Sequence, residues 1–219
     1  MEKKGHIRSL LATESGSSQF RRVFGRDWTE NDVEDFYQAF EANLFDVVAE
    51  YSAPISGTVE AVRALRDMGI KIGSTTGYTS QMMERVLPAA EKGGYVPDCV
   101  VTPDIAGAAR PTPFMLFECM KRLNVYPPRL VVKVGDTVID MEEGVNAGAW
   151  SIGIITGSNL LGLTEDEYHA MPAQELAARK KAVEEKYYAA GADLVIDSIA
   201  QLPEAIREIN RRLAEEEAK

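Results

Sequence analysis

Apolar positions recur along this chain at two different spacings, and the change from one to the other divides it. After Thr29, residues Val33, Phe36, Tyr37, Phe40, Leu44, Val47 and Val48 fall three or four apart, which puts them on one face of a helix. The stretch before them shares this character, so residues 6–50 are expected to be helical throughout, with that stripe buried. Thr29 and Asp32 have the spacing of a capping box, in which a hydroxyl and a carboxylate satisfy the free N–H groups of a first turn. The run 51–57, containing Pro54 and Gly57, breaks the pattern because both residues disfavour helix continuation. A domain boundary is placed there, giving a helical unit over 1–52 and a second unit over 53–219.

From Thr58 amphipathic helices alternate with short apolar runs. Val59, Val62 and Leu65 mark a helix ended by Gly69, a residue suited to the left-handed turn after a helix. Strands are expected at 70–74, 99–102, 130–134, 150–155 and 194–196. Helices are expected from Ser80, over 113–123 and 138–147, and after the last strand. Residues 163–189 read as mostly helical and highly charged, with a helix start at Thr164. Strand–helix alternation of this kind implies an α/β fold: a doubly wound, Rossmann-like parallel sheet with helices on both faces. In such sheets ligands sit beyond the carboxyl ends of the strands.

Composition narrows the partners. Of 219 residues, 24 are Lys or Arg and 34 are Asp or Glu, so the net charge is −10 and phosphate polymers are repelled: no nucleic acid is expected. Cys99 and Cys119 lie in apolar stretches without C-x-x-C spacing, which suits buried thiols in a reducing compartment. No apolar run is long enough to cross a membrane, and the first six residues lack the apolar core of a signal peptide. The expectation is a cytoplasmic protein with no membrane partner.

Three features fall at strand ends. The run 73–79, Gly-Ser-Thr-Thr-Gly-Tyr-Thr, sets the Thr76 hydroxyl beside the Gly77 N–H, two donors suited to a phosphate oxygen, although small polar residues also mark ordinary turns. After the strand at 130–134 comes Gly135-Asp136-Thr137, with Asp140 four residues beyond Asp136 on one helical face. These carboxylates suit Mg²⁺, a hard cation that prefers oxygen, or else Asp136 or Thr137 caps the helix and Asp140 is a first-turn carboxylate favoured by the helix dipole. Arg110, set between small residues and Pro111, carries a planar guanidinium suited to a phosphate or phosphonate, the alternative being a plain surface arginine.

A Thr, an Arg and an acidic pair on successive strands resemble the haloacid dehalogenase (HAD) superfamily. The run 73–79, the pair Arg110-Pro111, the run Lys-Val-Gly-Asp-Thr at 133–137, Gly157-Ser158 and the run 161–165 resemble the phosphonoacetaldehyde hydrolase family in particular. The resemblance implies a HAD core with a helical cap and cleavage of a small phosphonate at its C–P bond through a lysine imine and an aspartyl-phosphate. It further implies Mg²⁺ as cofactor and a homodimer. The segment Lys3-Lys4-Gly5-His6-Ile7-Arg8 looks like the part of the cap that holds the imine-forming lysine, which places it at Lys3, with His6 as a proton relay three residues away. Lys4 and Arg8 are then neighbouring charges that would favour the neutral amine an aldehyde requires. Thr76 and Arg110 take catalytic places, Gly77 and Tyr78 substrate contacts, and Asp136 and Asp140 the metal.

The family's Asp-x-x-Gly-Thr-Thr motif, which bears the nucleophile on the first core strand, has no counterpart here. The expectation is that this strand and part of the cap are missing, through a late start or a fragment. A related HAD phosphatase or sugar-phosphate mutase is a second enzyme reading, and a non-catalytic, phosphate-binding or dimerising remnant a third.

Overall fold

The computed structural model describes residues 3–218, without the side chains of Lys3, Ala42, Asp46 and Glu217. The amino-terminal helical stretch is three helices rather than one: α1 Lys3–Ala12, α2 Glu14–Phe24 and α3 Glu30–Val47. Local chemistry sets the breaks. The Thr13 hydroxyl accepts from the Gly16 N–H at the start of α2, and Gly25, at φ +68°, closes it in the left-handed region. The Thr29–Asp32 capping box opens α3 as expected. The stripe on α3 is buried only in part. Val33 and Val48 are covered, whereas Phe36, Phe40 and Val47 stay exposed, as do Val23 and Phe24 of α2. Phe20, Phe24 and Phe36 form a ring cluster, with centroids 4.4 to 6.1 Å apart.

The remaining chain alternates as read: α4 Thr58–Asp67, β1 Gly73–Thr75, α5 Ser80–Lys92, β2 Cys99–Val101, α6 Pro103–Ala106, α7 Phe114–Leu123, β3 Val132–Gly135, α8 Val138–Ala147, β4 Trp150–Ile154, α9 Glu165–Ala170, α10 Ala173–Ala189, β5 Leu194–Ile196 and α11 Leu202–Glu217. All strand pairs are parallel, but they form two sheets, β1–β2 and β3–β4–β5. Two strand starts move accordingly. Residues 70–72 lie outside β1, and 128–130 turn as a short 3₁₀ segment before β3.

Period-2 alternation explains the layering. Val132, Val134 and Ile152 face α4 and α11, joining Leu65, Leu202, Ile206 and Ile209 in one core. Ser151 and Gly153 point to the other side, where α8 and α10 contribute Met141, Val183 and Tyr187. A Cβ on Gly153 would lie 2.5 Å from the Tyr187 ring, so only glycine lets that helix seat. Truncating a fully buried side chain such as Met141 or Ile152 to alanine costs about 2–5 kcal/mol.

Between β1 and β3 runs a groove of about 760 Å³. Residues 69–76 line one side and 130–136 the other, with Leu65, Leu202 and Ile206 at its base. At its carboxyl-end mouth stand Thr76, Arg110, Asp136 and Asp140.

Candidate active site

Each of those four residues reaches the mouth by a distinct local device. The Thr76 N–H donates to Val101 O at 3.3 Å just past the β1–β2 pairing, and its Oγ1 accepts from the Tyr78 N–H at 3.1 Å, which turns the chain there. Gly77 lies beside Arg110: a Cβ built on it would be 3.6 Å from Nη2. Asp136 follows β3 directly, and its backbone carbonyl accepts from the Tyr187 hydroxyl at 2.6 Å. Asp140 is in the first turn of α8 and is 1% exposed.

Asp140 is a helix cap, as one reading of the sequence had it, and it also lines the groove. One carboxylate oxygen accepts from the Thr137 N–H at 3.2 Å and from the Thr137 hydroxyl, which is the capping box of α8. The other accepts from Arg110 Nη1 and from Lys133 Nζ, the latter at 3.0 Å. Burial pushes the Asp140 carboxyl up, but Lys133, Arg110 and the Thr137 hydroxyl together outweigh it and hold it below the usual aspartate range. Asp136 behaves oppositely. Burial first, and the neighbouring Asp140 charge second, push it above that range.

This imbalance is what a hard cation would relieve, and carboxylate oxygens are its preferred donors. The fit is partial. Among the described residues no group of three or more metal-ligating side chains converges, and both Asp140 oxygens are already engaged. Were a cation bound here, Asp136 would be the carboxylate to hold it, since both oxygens of Asp140 are engaged.

Lys133 and Glu143, absent from the expected site, complete the cluster. Lys133 is 5% exposed and donates to Thr75 Oγ1 across the groove at 2.9 Å, while Glu143, fully buried, lies 2.6 Å from the Lys133 ammonium. Burial raises the Glu143 carboxyl, and Lys133 opposes the shift. A signal was available: a lysine inside the apolar run 130–134 needs buried partners.

The helical unit contributes less to this geometry. The side chain of Lys3 lies outside the described residues. His6 is exposed, and neither His6 nor Tyr78 is among the described residues that line the groove. The two charges expected to act on Lys3 have carboxylate partners: Lys4 pairs with Glu34 at 2.7 Å and Arg8 with Glu30 at 2.7 Å. Those ion pairs offset the positive field that the sequence alone suggested.

Residues 5–148 match the family model of haloacid dehalogenase-like hydrolases. A phosphonoacetaldehyde hydrolase of Parabacteroides distasonis is 47% identical over 207 residues, covering 94% of this chain and 78% of that protein. One from Bacillus cytotoxicus is 45% identical, with the same coverage of 94% and 78%. The crystal structure of a phosphonoacetaldehyde hydrolase-like protein from Oleispira antarctica superposes with a TM-score of 0.90 at 34% identity, over 98% of this chain and 78% of that one. Among the described residues no helix is long and apolar enough to cross a membrane. On sequence and fold alike, this chain belongs to the HAD superfamily and, within it, to the phosphonoacetaldehyde hydrolase family.

Proposed function

We propose that the chain serves the hydrolysis of phosphonoacetaldehyde to acetaldehyde and phosphate. The observation that carries this reading is the convergence of Thr76, Arg110, Asp136 and Asp140 on one groove mouth in a chain 47% identical to a phosphonoacetaldehyde hydrolase. In this reading residues 1–52 are part of a helical cap over a core of 53–219. Lys3 condenses with the aldehyde, releasing water and forming an imine, and His6 relays the protons. Protonation of the imine nitrogen makes it an electron sink. When the C–P bond breaks, its electron pair enters the conjugated system and leaves an enamine. Water then hydrolyses the enamine's imine tautomer to acetaldehyde and regenerates the Lys3 amine.

Thr76, the Gly77 N–H and Arg110 hold the phosphonate oxygens, an arrangement supported by the nearness of Gly77 to Arg110. Tyr78 shapes the adjacent wall. Asp136, with Asp140 orienting, would hold Mg²⁺, which would supply positive charge to the transferring group. The groove's own carboxylates are Asp136 and Asp140. The acceptor of the phosphoryl group is therefore assigned to an aspartate on a further strand laid between β1 and β3, where two sheet edges face each other over an apolar floor, and a second water cleaves the resulting aspartyl-phosphate to release phosphate and restore the carboxylate. The exposed Val23, Phe24, Phe36, Phe40 and Val47 support pairing of two caps in a homodimer.

The test is release of acetaldehyde and phosphate from phosphonoacetaldehyde with Mg²⁺, by the chain alone and with a strand-length peptide ending in aspartate. Turnover that needs the peptide supports both the substrate and the strand assignment. Turnover by the chain alone removes the strand assignment. Hydrolysis of phosphate monoesters but not of phosphonoacetaldehyde makes it a phosphatase instead.

A further inference from the structure

Lys133 occupies an interior position of β3, with Val132 and Val134 packed into the core on the opposite face. A buried ammonium is costly unless it is paired and hydrogen-bonded. Here it has three partners: Thr75 Oγ1 at 2.9 Å, Asp140 Oδ1 at 3.0 Å and Glu143 Oε2 at 2.6 Å. Gly144 makes the approach feasible, because a Cβ there would stand 3.1 Å from Lys133 Cβ and 2.1 Å from Ser151 Oγ.

The same Asp140 oxygen also holds Arg110. Arg110 is thus committed to a carboxylate in the protein, although it lines the groove where an anionic ligand would sit. To serve such a ligand it must loosen its hold on Asp140. A buried Asp140 left with no cation would oppose that exchange, and Lys133 removes the opposition because it stays on Asp140 when Arg110 turns away. Lys133 in turn stays put because Glu143, with no exposed surface, anchors it from behind.

We propose that Lys133 is a positioning residue: the standing counter-ion of Asp140, which frees Arg110 to transfer its guanidinium to a phosphate or phosphonate oxygen. This rests on the reading of Arg110 as the ligand's anion anchor and goes beyond it by naming what releases that anchor.

The experiment is calorimetric titration of inorganic phosphate into the wild-type chain, R110M, D140N, the double variant K133M/E143L and the triple variant K133M/E143L/D140N. Replacing Lys133 and Glu143 together leaves no unpaired charge from that pair and keeps apolar volume, so the core is retained, as circular dichroism verifies. Phosphate affinity is expected to fall about tenfold or more in K133M/E143L, because Arg110 becomes the sole counter-ion of Asp140. Adding D140N is expected to bring affinity back to the level of D140N alone. A packing role for Lys133 would give no such recovery. Wild-type affinity in K133M/E143L, with binding lost in R110M, overturns the Lys133 inference alone. If R110M binds phosphate like the wild type, or the wild type binds none, the reading of Arg110 fails and the inference falls with it.

Discussion

Asp140 fills the space that a side chain on Gly135 would need: a Cβ built on Gly135 would lie 2.3 Å from both Cβ and Cγ of Asp140. The glycine before Asp136 therefore sets how closely α8 approaches the end of β3, and through this the position of a carboxylate held by Thr137, Lys133 and Arg110. Gly135→Ala is expected to displace Asp140, lowering stability by about 1–3 kcal/mol, the usual cost of overpacking. Turnover, measured with the aspartate-bearing strand peptide supplied, should fall about 10- to 100-fold, as for loss of an orienting partner at a metal site. Urea denaturation and steady-state kinetics on the same preparation check both. An unchanged rate would remove Asp140 from the site.

Arg110→Lys is expected to act as a severe substitution although it keeps the charge. An ammonium cannot reproduce the planar fork with which Arg110 holds Asp140 and, on leaving it, would meet an anionic ligand. The predicted loss in kcat/KM is about 10²–10³, the scale for removing one preorganised donor. Progress curves for acetaldehyde release, with the same strand peptide present, measure it, and a loss under threefold would count against the assignment.

Much of this architecture was legible from residue order. The capping box at Thr29, the helix start at Thr164, the helix from Val138 to Ala147 and the strand at 194–196 follow from local signals that act within a few residues. The division into two sheets was not, because pairing depends on which edges meet, and a strand pattern is silent on that. Likewise, residue type and position offered Thr76, Arg110, Asp136 and Asp140 as candidates, and the fold brings them to one groove, whereas Lys133 and Glu143 gain their meaning only from burial against each other. The expected burial of Phe36 and Phe40 failed for a related reason: helical spacing shows that a face is apolar, not what covers it.

The Tyr187 hydroxyl donates to the backbone carbonyl of Asp136 at 2.6 Å, with Ile154 O at 3.2 Å. Burial pushes its ionisation up to about 12, so it stays protonated and able to donate. Tyr187→Phe deletes this donor without changing the ring that packs on Gly153. The expected cost is about 1 kcal/mol, read by chemical denaturation. The Mg²⁺ concentration for half-maximal activity should rise, since the Asp136 backbone loses its tether.

Stability is expected to fall on acidification, in part through Asp32. Its carboxylate accepts from Arg26 at 2.6 Å and from the Thr29 N–H at 2.7 Å, and these partners, Arg26 foremost, hold it far below the ordinary aspartate value. A group whose folded value lies below its unfolded one stabilises the fold above the unfolded value and loses that contribution as pH falls. Asp32→Asn should therefore melt several degrees lower near pH 7 and lose less than the wild type between about pH 5 and pH 3. Thermal melts across that range decide it, and parallel curves for the two proteins would show that Asp32 contributes nothing.

The proposed chemistry is most directly tested by trapping. Phosphonoacetaldehyde plus borohydride should reduce an imine into a stable adduct, located by peptide mass spectrometry. The account predicts modification at Lys3, absent in Lys3→Met and diminished in R110M, because the phosphonate group docks the aldehyde. No adduct, or one spread evenly over the chain's lysines and indifferent to Arg110, would contradict it.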